Sequence, residues 1–248
     1  MEKRPFLYSL RFVIISVLTV AIILTLGFAL GGYIKKEKAF PALPSSTKSA
    51  QITFVIDPGH GGEDSGAIAD DMTLEKDLNL EIAKVLYALY ELNGTPSKMT
   101  REDDRLLYDH YGDLDDYRGQ KKVYDLKNRL KIAEEYENSV FIGIHMNKFP
   151  QKKYSGLTVY YSKNDPQSRL IASCISDYNK KYIQPQNNRE IKCADSSIYI
   201  LHNIKSPAVL VECGFVSNDT ELALLKDKGY REKMAVMLFA SSLNFCTE

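Results

Sequence analysis

The chain has 248 residues, of which 32 are Lys or Arg and 32 are Asp or Glu, so its formal net charge is zero. This balance excludes the strongly basic surface that nucleic-acid-binding proteins use, and we expect no nucleic-acid partner. A hydrophobic content of 44% with 26% charged residues is typical of a globular protein. Residues 51–248 are enough for one domain with a complete core.

The first 50 residues differ in composition from the rest of the chain. Residues 12–34 contain no charged side chain and are long enough to span a bilayer as a helix. We predict a cytoplasmic stub, a membrane anchor over residues 12–34, and a linker that contains Pro41 and Pro44. A cleaved signal peptide is the alternative. Both interpretations place the domain at residues 51–248 outside the cytoplasmic membrane.

From residue 52 onward, short apolar runs alternate with amphipathic stretches. The β-branched runs predict strands at residues 52–56, 140–144, 157–161 and 208–211. Apolar residues at helical spacing predict helices at residues 74–92, 117–138, 167–182 and 221–245, the last interrupted near Gly229. Strands that alternate with helices predict a single α/β domain whose sheet is covered by helices on both faces.

Two of these helices carry predictions for individual residues. Thr73 should cap the start of the helix at residues 74–92, and Gly94 should end it. In the helix at residues 117–138, the apolar side chains should face the core; these are Val123, Leu126, Leu130 and Ala133.

Three potential metal ligands stand where predicted elements begin or end. His60 follows the first strand in a glycine-rich turn, Glu75 opens a helix, and His145 ends the apolar run at residues 140–144. Two imidazoles and one carboxylate are a common three-ligand zinc site that leaves one coordination position open. Because ligands collect beyond strand ends in α/β sheets, we predict that these three residues bind Zn²⁺.

Each of these residues also has a purely structural interpretation. A histidine at a strand end is often only a solvated or hydrogen-bonded side chain, and Glu75 could simply complement the helix dipole. The neighbouring Lys76 should be solvated. His110 and His202 lack comparable settings and should lie at the surface.

Glu212 ends the apolar run at residues 208–211. Burying a carboxylate is costly unless something pairs with it, which favours a functional role. A zinc site together with a free glutamate is the minimum set of groups for hydrolysing an amide, so Glu212 is the predicted catalytic residue. Cys213 should point to the opposite face of the strand.

The four cysteines match no paired-cysteine zinc motif; they are Cys174, Cys193, Cys213 and Cys246. Two disulfides could connect them in three ways, and the sequence does not choose among these. Unpaired, mostly buried thiols are the favoured interpretation.

Taken together, these motifs resemble the zinc-dependent N-acetylmuramoyl-L-alanine amidases of the peptidoglycan amidase type 3 family. The resemblance extends over roughly residues 52–245, and its blocks occur in order at residues 57–62, 64–67, 74–76, 100–103, 128–130, 144–147, 156–161 and 207–218. It implies a twisted, mostly six-stranded sheet flanked by helices. It also implies zinc bound by His60, Glu75 and His145, and catalysis by Glu212. The implied reaction is hydrolysis of the amide between N-acetylmuramic acid and L-alanine in peptidoglycan.

Within that family, the single apolar N-terminal segment and the helix sequence around residues 117–129 resemble the germination-specific branch. That resemblance implies spore cortex peptidoglycan as the substrate and a step toward muramic-δ-lactam. It also implies an anchored or exported enzyme that acts outside the cytoplasmic membrane of the sporulating cell, and it is compatible with an accessory activator protein. Two alternatives remain: a non-catalytic wall-binding or regulatory module on the same fold, and another zinc hydrolase of the cell wall.

Overall fold

The computed structural model describes residues 52–112 and 119–245. Its strands are β1 (Thr53–Pro58), β2 (Ser97–Met99), β3 (Ser139–Asn147), β4 (Thr158–Tyr161), β5 (Lys192–Cys193) and β6 (Ala208–Phe215). They form one six-stranded sheet in the order β2-β1-β3-β6-β4-β5. The first four strands of this order run parallel, whereas β4 is antiparallel to β6 and pairs in parallel with β5.

Six helices are described: α1 (Glu75–Leu92), α2 (Lys121–Glu134), α3 (Gln167–Tyr182), α4 (Tyr199–Asn203), α5 (Asp219–Lys226) and α6 (Lys228–Phe245). Helices α1, α3 and α6 pack on one face of the sheet and enclose the larger core. Helices α2 and α4 pack on the other face over a smaller core. The predicted α/β domain with a six-stranded sheet and helices on both faces is therefore confirmed.

The predicted anchor at residues 12–34 lies outside the described residues. Within residues 52–112 and 119–245, no helix combines the length and the apolar character needed to cross a bilayer.

The alternation of side chains along β3 and β6 decides what faces each core. Ile144 in β3 and Val211 in β6 belong to the larger core, so His145 and Glu212 point to the opposite face. Cys213 is buried in the larger core, as predicted. Both strands run further than the sequence predicts, and His145 and Glu212 lie within them.

The start of α1 corrects one prediction. Its N-terminal cap residue is Leu74, and no side chain caps it, so the prediction for Thr73 is wrong. Backbone carbonyls of the preceding loop instead accept hydrogen bonds from the first amides of the helix. Glu75 N donates to Ala67 O at 2.9 Å. The prediction for the other end is confirmed, because Gly94 adopts a left-handed φ of 68° just past Leu92.

Helix α2 corrects a second prediction. It runs over Lys121–Glu134, and residues 117 and 118 of the predicted range lie outside the described residues. Val123 is 45% exposed rather than buried. Polar side chains occupy much of the buried face of this helix, namely Asp125, Asn128 and Arg129. Their burial is offset by hydrogen bonds: Asn128 donates to the backbone oxygens of Leu107 and Tyr108, and Arg129 donates to Asp125.

Two short strands, β2 and β5, have no counterpart among the predicted elements. Among the cysteines, Cys213 is a buried free thiol and Cys193 an exposed free thiol, whereas Cys246 lies outside the described residues. The exposure of Cys193 departs from the expected burial, since it lies on the edge strand β5.

Candidate metal centre

The structure brings His60, Glu75 and His145 together at the carboxyl ends of the central strands. One donor atom from each side chain lies within 4.8 Å of the other two. Glu75 Oε1 is 3.3 Å from His60 Nε2 and 3.0 Å from His145 Nδ1. Two imidazoles and a carboxylate are donors that Zn²⁺ prefers. This donor set therefore fits a zinc ion, and these residues could hold one.

The backbone around the cluster leaves room for the side chains of His145 and Glu75 to lie against it. His60 has a left-handed φ of 62°, which is uncommon for a residue other than glycine. A Cβ on Gly59 would lie 2.1 Å from His145 Cε1, so only glycine leaves room for that ring. Gly66 likewise leaves room for Glu75, since a Cβ there would lie 2.6 Å from its Oε2.

Neighbouring groups hold the three side chains in place. Asp64 Oδ2 lies 2.8 Å from His60 Nδ1, so the other ring nitrogen, Nε2, faces Glu75. The backbone amides of Ala67 and Met146 donate to the two oxygens of Glu75 at 2.7 and 3.0 Å. Such partners fix the orientation of metal ligands and are usual around a metal site.

The charges in the cluster complement one another. Burial alone would lower the pKa of His60, but hydrogen bonds to Asp64 and Glu75 raise it to about 9. Burial alone would raise the pKa of Glu75, yet the hydrogen bonds and charges of His145 and His60 hold it far below its usual range. Because a metal-binding imidazole must be deprotonated, a cation bound here would displace protons from the cluster.

Glu212 lies beside the cluster on β6, where it is the register partner of His145 on β3. Its Oε2 is buried and has no hydrogen-bond partner. Burial is the main cause that raises the pKa of Glu212, to about 7. A carboxyl group with such a pKa can take up and release a proton at neutral pH.

A buried arginine supports the turn that carries His60. Arg129 of α2 is 1% exposed and donates to Asp57 at 2.7 Å and to Asp125 at 2.7 Å. It also donates to the backbone oxygens of Pro58 and His60, at 2.9 and 2.7 Å. No role for Arg129 is predicted from the sequence. The available signal was Asp57, an acidic residue in the buried strand β1. A buried carboxylate requires a partner, and Arg129 is that partner.

A second buried arginine and a lysine also donate to backbone oxygens of this loop. Arg101 donates to the backbone oxygens of Pro58, Gly59 and Lys76. Lys76 corrects a prediction, because it is buried rather than solvated. Its Nζ donates to Gly62 O at 2.7 Å and pairs with Asp104 at 2.6 Å.

The other two histidines lie away from this cluster. His110 is exposed, as predicted, and stacks edge-on against Tyr111. His202 departs from the prediction of a surface residue, because it is half-buried in α4 and its Nδ1 is buried. Neither belongs to the metal-competent cluster found within the described part of the chain.

The chain is similar to known proteins of one family. Residues 54–241 match the family model for N-acetylmuramoyl-L-alanine amidase. The chain is 32% identical over 200 residues to the germination-specific N-acetylmuramoyl-L-alanine amidase of Bacillus subtilis, covering 81% of each chain.

Two solved structures extend the comparison. The fold is similar to that of the CwlD amidase from Clostridioides difficile, solved in complex with the GerS lipoprotein (TM-score 0.73, 38% identity, 79% of this chain and 99% of that chain). It is also similar to the amidase AmiC2 of Nostoc punctiforme (TM-score 0.68, 28% identity, 81% of this chain and 99% of that chain). The chain belongs to the N-acetylmuramoyl-L-alanine amidase family, as its motifs predict.

Proposed function

We propose that this chain is a zinc-dependent amidase that hydrolyses the bond between N-acetylmuramic acid and L-alanine in peptidoglycan. The observation that carries the proposal is the convergence of His60, Glu75 and His145 beside the buried, unpartnered carboxyl group of Glu212. A non-catalytic wall-binding module would gain nothing from such a carboxyl group, which destabilises the fold.

Each residue of the site has a distinct role in this proposal. Zinc held by the three ligands would supply a Lewis acid that polarises the scissile carbonyl group. Glu212 takes a proton from the attacking water and passes it to the leaving amine of L-alanine. Without a bound metal its pKa is raised to about 7 by burial, and the positive charge of a zinc ion would lower it toward the ionised form that accepts a proton. Asp64 keeps a proton on His60 Nδ1, so that Nε2 is directed into the cluster.

Product analysis tests the reaction itself. An amidase releases peptides with a free L-alanine N-terminus from purified peptidoglycan and leaves the glycan strands intact. A peptidase would release fragments cleaved inside the stem peptide, and a sugar deacetylase would release acetate. Either of those product patterns would replace the proposed reaction with another zinc-dependent hydrolysis of the cell wall.

Metal content is the first prediction. The wild-type protein should bind one zinc ion per chain, whereas His145→Ala should lose stoichiometric zinc because a three-ligand site is reduced to two. Apparent zinc affinity should weaken as the pH falls below 9, by about tenfold per unit for each displaced proton, because protons compete for His60. Elemental analysis and metal titration measure both effects. The matched control is His110→Ala, an exposed histidine outside the cluster.

The domain boundary is the second prediction. The motif blocks and all described elements lie beyond residue 51, so a chain without residues 1–34 should fold and retain its intrinsic activity. Circular dichroism and the product assay check this. A truncated protein that fails to fold would show that the boundary between anchor, linker and domain is misplaced.

We further propose that the substrate is spore cortex peptidoglycan, cleaved outside the cytoplasmic membrane by a membrane-anchored or exported enzyme. Similarity to the germination-specific amidase of Bacillus subtilis supports this role. An accessory protein belongs to the same proposal, because the similar CwlD amidase was solved with the GerS lipoprotein.

The cortex role gives the third prediction. Spores of a strain that lacks this chain should contain cortex without muramic-δ-lactam, because the side-chain peptide has not been removed from muramic acid. Muropeptide profiling of purified spores measures this. Normal levels of the lactam would reject the cortex role and leave the amidase chemistry untouched.

A further inference from the structure

Two buried side-chain oxygen atoms on the neighbouring strands β4 and β6 have no hydrogen-bond partner. They are Glu212 Oε2 and Thr158 Oγ1. Thr158 is 2% exposed, so its hydroxyl group is shielded from bulk solvent. Unpaired polar groups are rare in protein interiors because they destabilise the fold, and they often coincide with a functional requirement.

The two residues face each other across the sheet. Thr158 on β4 is the direct register partner of Glu212 in the antiparallel pair with β6. Directly opposed residues in such a pair have Cβ atoms about 4.5–5.5 Å apart, within reach of a side-chain hydrogen bond. The neighbouring pair, Val159 and Val211, packs in the larger core. Thr158 and Glu212 therefore share the opposite face, where His145 also lies.

A threonine is chemically suited to this position. Its hydroxyl group donates one hydrogen bond, and an ionised carboxylate accepts. A β-branched side chain has few accessible χ1 rotamers, so the donor has a defined direction. Unlike a lysine or an arginine, a hydroxyl group adds no positive charge, so it orients the carboxylate without strongly reducing its basicity.

We propose that Thr158 is a positioning residue for the amidase reaction. Its hydroxyl group donates to Glu212 Oε2 and directs the carboxylate toward the attacking water and the leaving amine. The two oxygens do not bond to each other in the structure, and a rotation about the side-chain torsions of these opposed residues would satisfy both with one hydrogen bond. The inference rests on the proposed role of Glu212 as the proton-transferring group.

Kinetics of three variants of the full-length protein test the proposal. Thr158→Val keeps the shape and removes the hydroxyl group, and kcat should fall by about ten- to a hundredfold with KM and zinc content unchanged. Thr158→Ser keeps the hydroxyl group and should retain kcat within about threefold. The matched control is Thr53→Val, the same change at the first residue of β1 and away from the carboxyl ends of the strands, which should leave kcat unchanged. A wild-type kcat for Thr158→Val overturns the inference.

A double-mutant cycle separates positioning from a general structural effect. If Thr158 acts through Glu212, Thr158→Val should have no further effect on the residual activity of Glu212→Ala. An equal reduction in both backgrounds would show that Thr158 acts independently and would overturn the inference. A Glu212→Ala protein with wild-type activity would instead overturn the proposed role of Glu212 as the proton-transferring group, so the two failures are distinguishable.

A spectroscopic measurement on zinc-free protein provides a readout apart from activity. In protein labelled with ¹³C at glutamate carboxyl groups, the Glu212 resonance is identified by its loss in Glu212→Ala. This resonance should shift in Thr158→Val and keep its position in Thr158→Ser and Thr53→Val. An unshifted Glu212 resonance in Thr158→Val would contradict the proposed hydrogen bond.

Discussion

Glu212→Gln should reduce kcat by about 10²–10⁴-fold while leaving zinc content and fold intact. The substitution keeps the size and shape of the side chain and removes the group that accepts a proton from water. It does not alter the three ligand side chains, whose donor atoms lie within 4.8 Å of one another. Steady-state kinetics with elemental analysis of the same sample measure the effect.

A control variant excludes a general effect of removing a carboxylate. Glu232→Gln changes a partly exposed residue on α6 and should retain wild-type kcat and zinc. Comparable turnover of Glu212→Gln and the wild type would reassign Glu212 to a structural role. It would also favour a catalytic scheme in which another group transfers the proton.

The same substitution should stabilise the zinc-free protein. Burial raises the pKa of Glu212 from 4.5 to about 7, so the folded state disfavours the charged form. The folded protein loses stability as the pH rises from about 4.5 to 7, because the buried carboxyl group resists ionisation. The neutral amide of the variant has no charge to bury. At pH 8, Glu212→Gln should therefore raise the free energy of unfolding by up to roughly 3 kcal/mol. Urea titrations at pH 4 and pH 8 check the sign, since the gain should vanish at pH 4.

Much of the fold is predictable because its signals are local. The apolar spacing in Leu78, Ile82 and Leu86 predicts the buried face of α1, and all three residues lie in the larger core. The period-two alternation of strands predicts that Glu212 and Cys213 face opposite sides, which the core packing shows. The shortest strands, β2 and β5, hold too few residues for such a pattern to emerge.

What the sequence does not reveal depends on contacts between distant residues. Apolar spacing directs Val123 inward in α2, but the structure buries Arg129, whose partner Asp57 is 72 residues away. Burial of Lys76 likewise requires Asp104, 28 residues along the chain. The pairing of Thr158 with Glu212 follows from strand order in the sheet, which strand patterns do not specify. The candidate ligands are predictable individually, but these supporting contacts are not.

Arg129→Met should be strongly destabilising, with a loss of about 3–5 kcal/mol in the free energy of unfolding. Arg129 is buried, and its removal leaves Asp57 and Asp125 as unpaired buried charges. Burial alone would raise the pKa of Asp57. The charge of Arg129 and the hydrogen bonds from Thr100 and Arg129 outweigh burial, so this pKa lies below its usual value. The stability that depends on this carboxylate is present above pH 4 and is lost in acid, so the loss in Arg129→Met should be largest near neutral pH.

The same variant should also weaken zinc binding, because Arg129 holds the backbone oxygen of His60 at 2.7 Å. That bond stabilises a left-handed residue, so its loss frees the turn that aims the imidazole at Glu75. The matched control is Lys127→Met on the exposed side of the same helix, which should change stability by less than about 0.5 kcal/mol. Chemical denaturation and zinc titration of both variants provide the comparison. If Arg129→Met unfolded at the same denaturant concentration as Lys127→Met, the buried network would not be what holds the His60 turn in place.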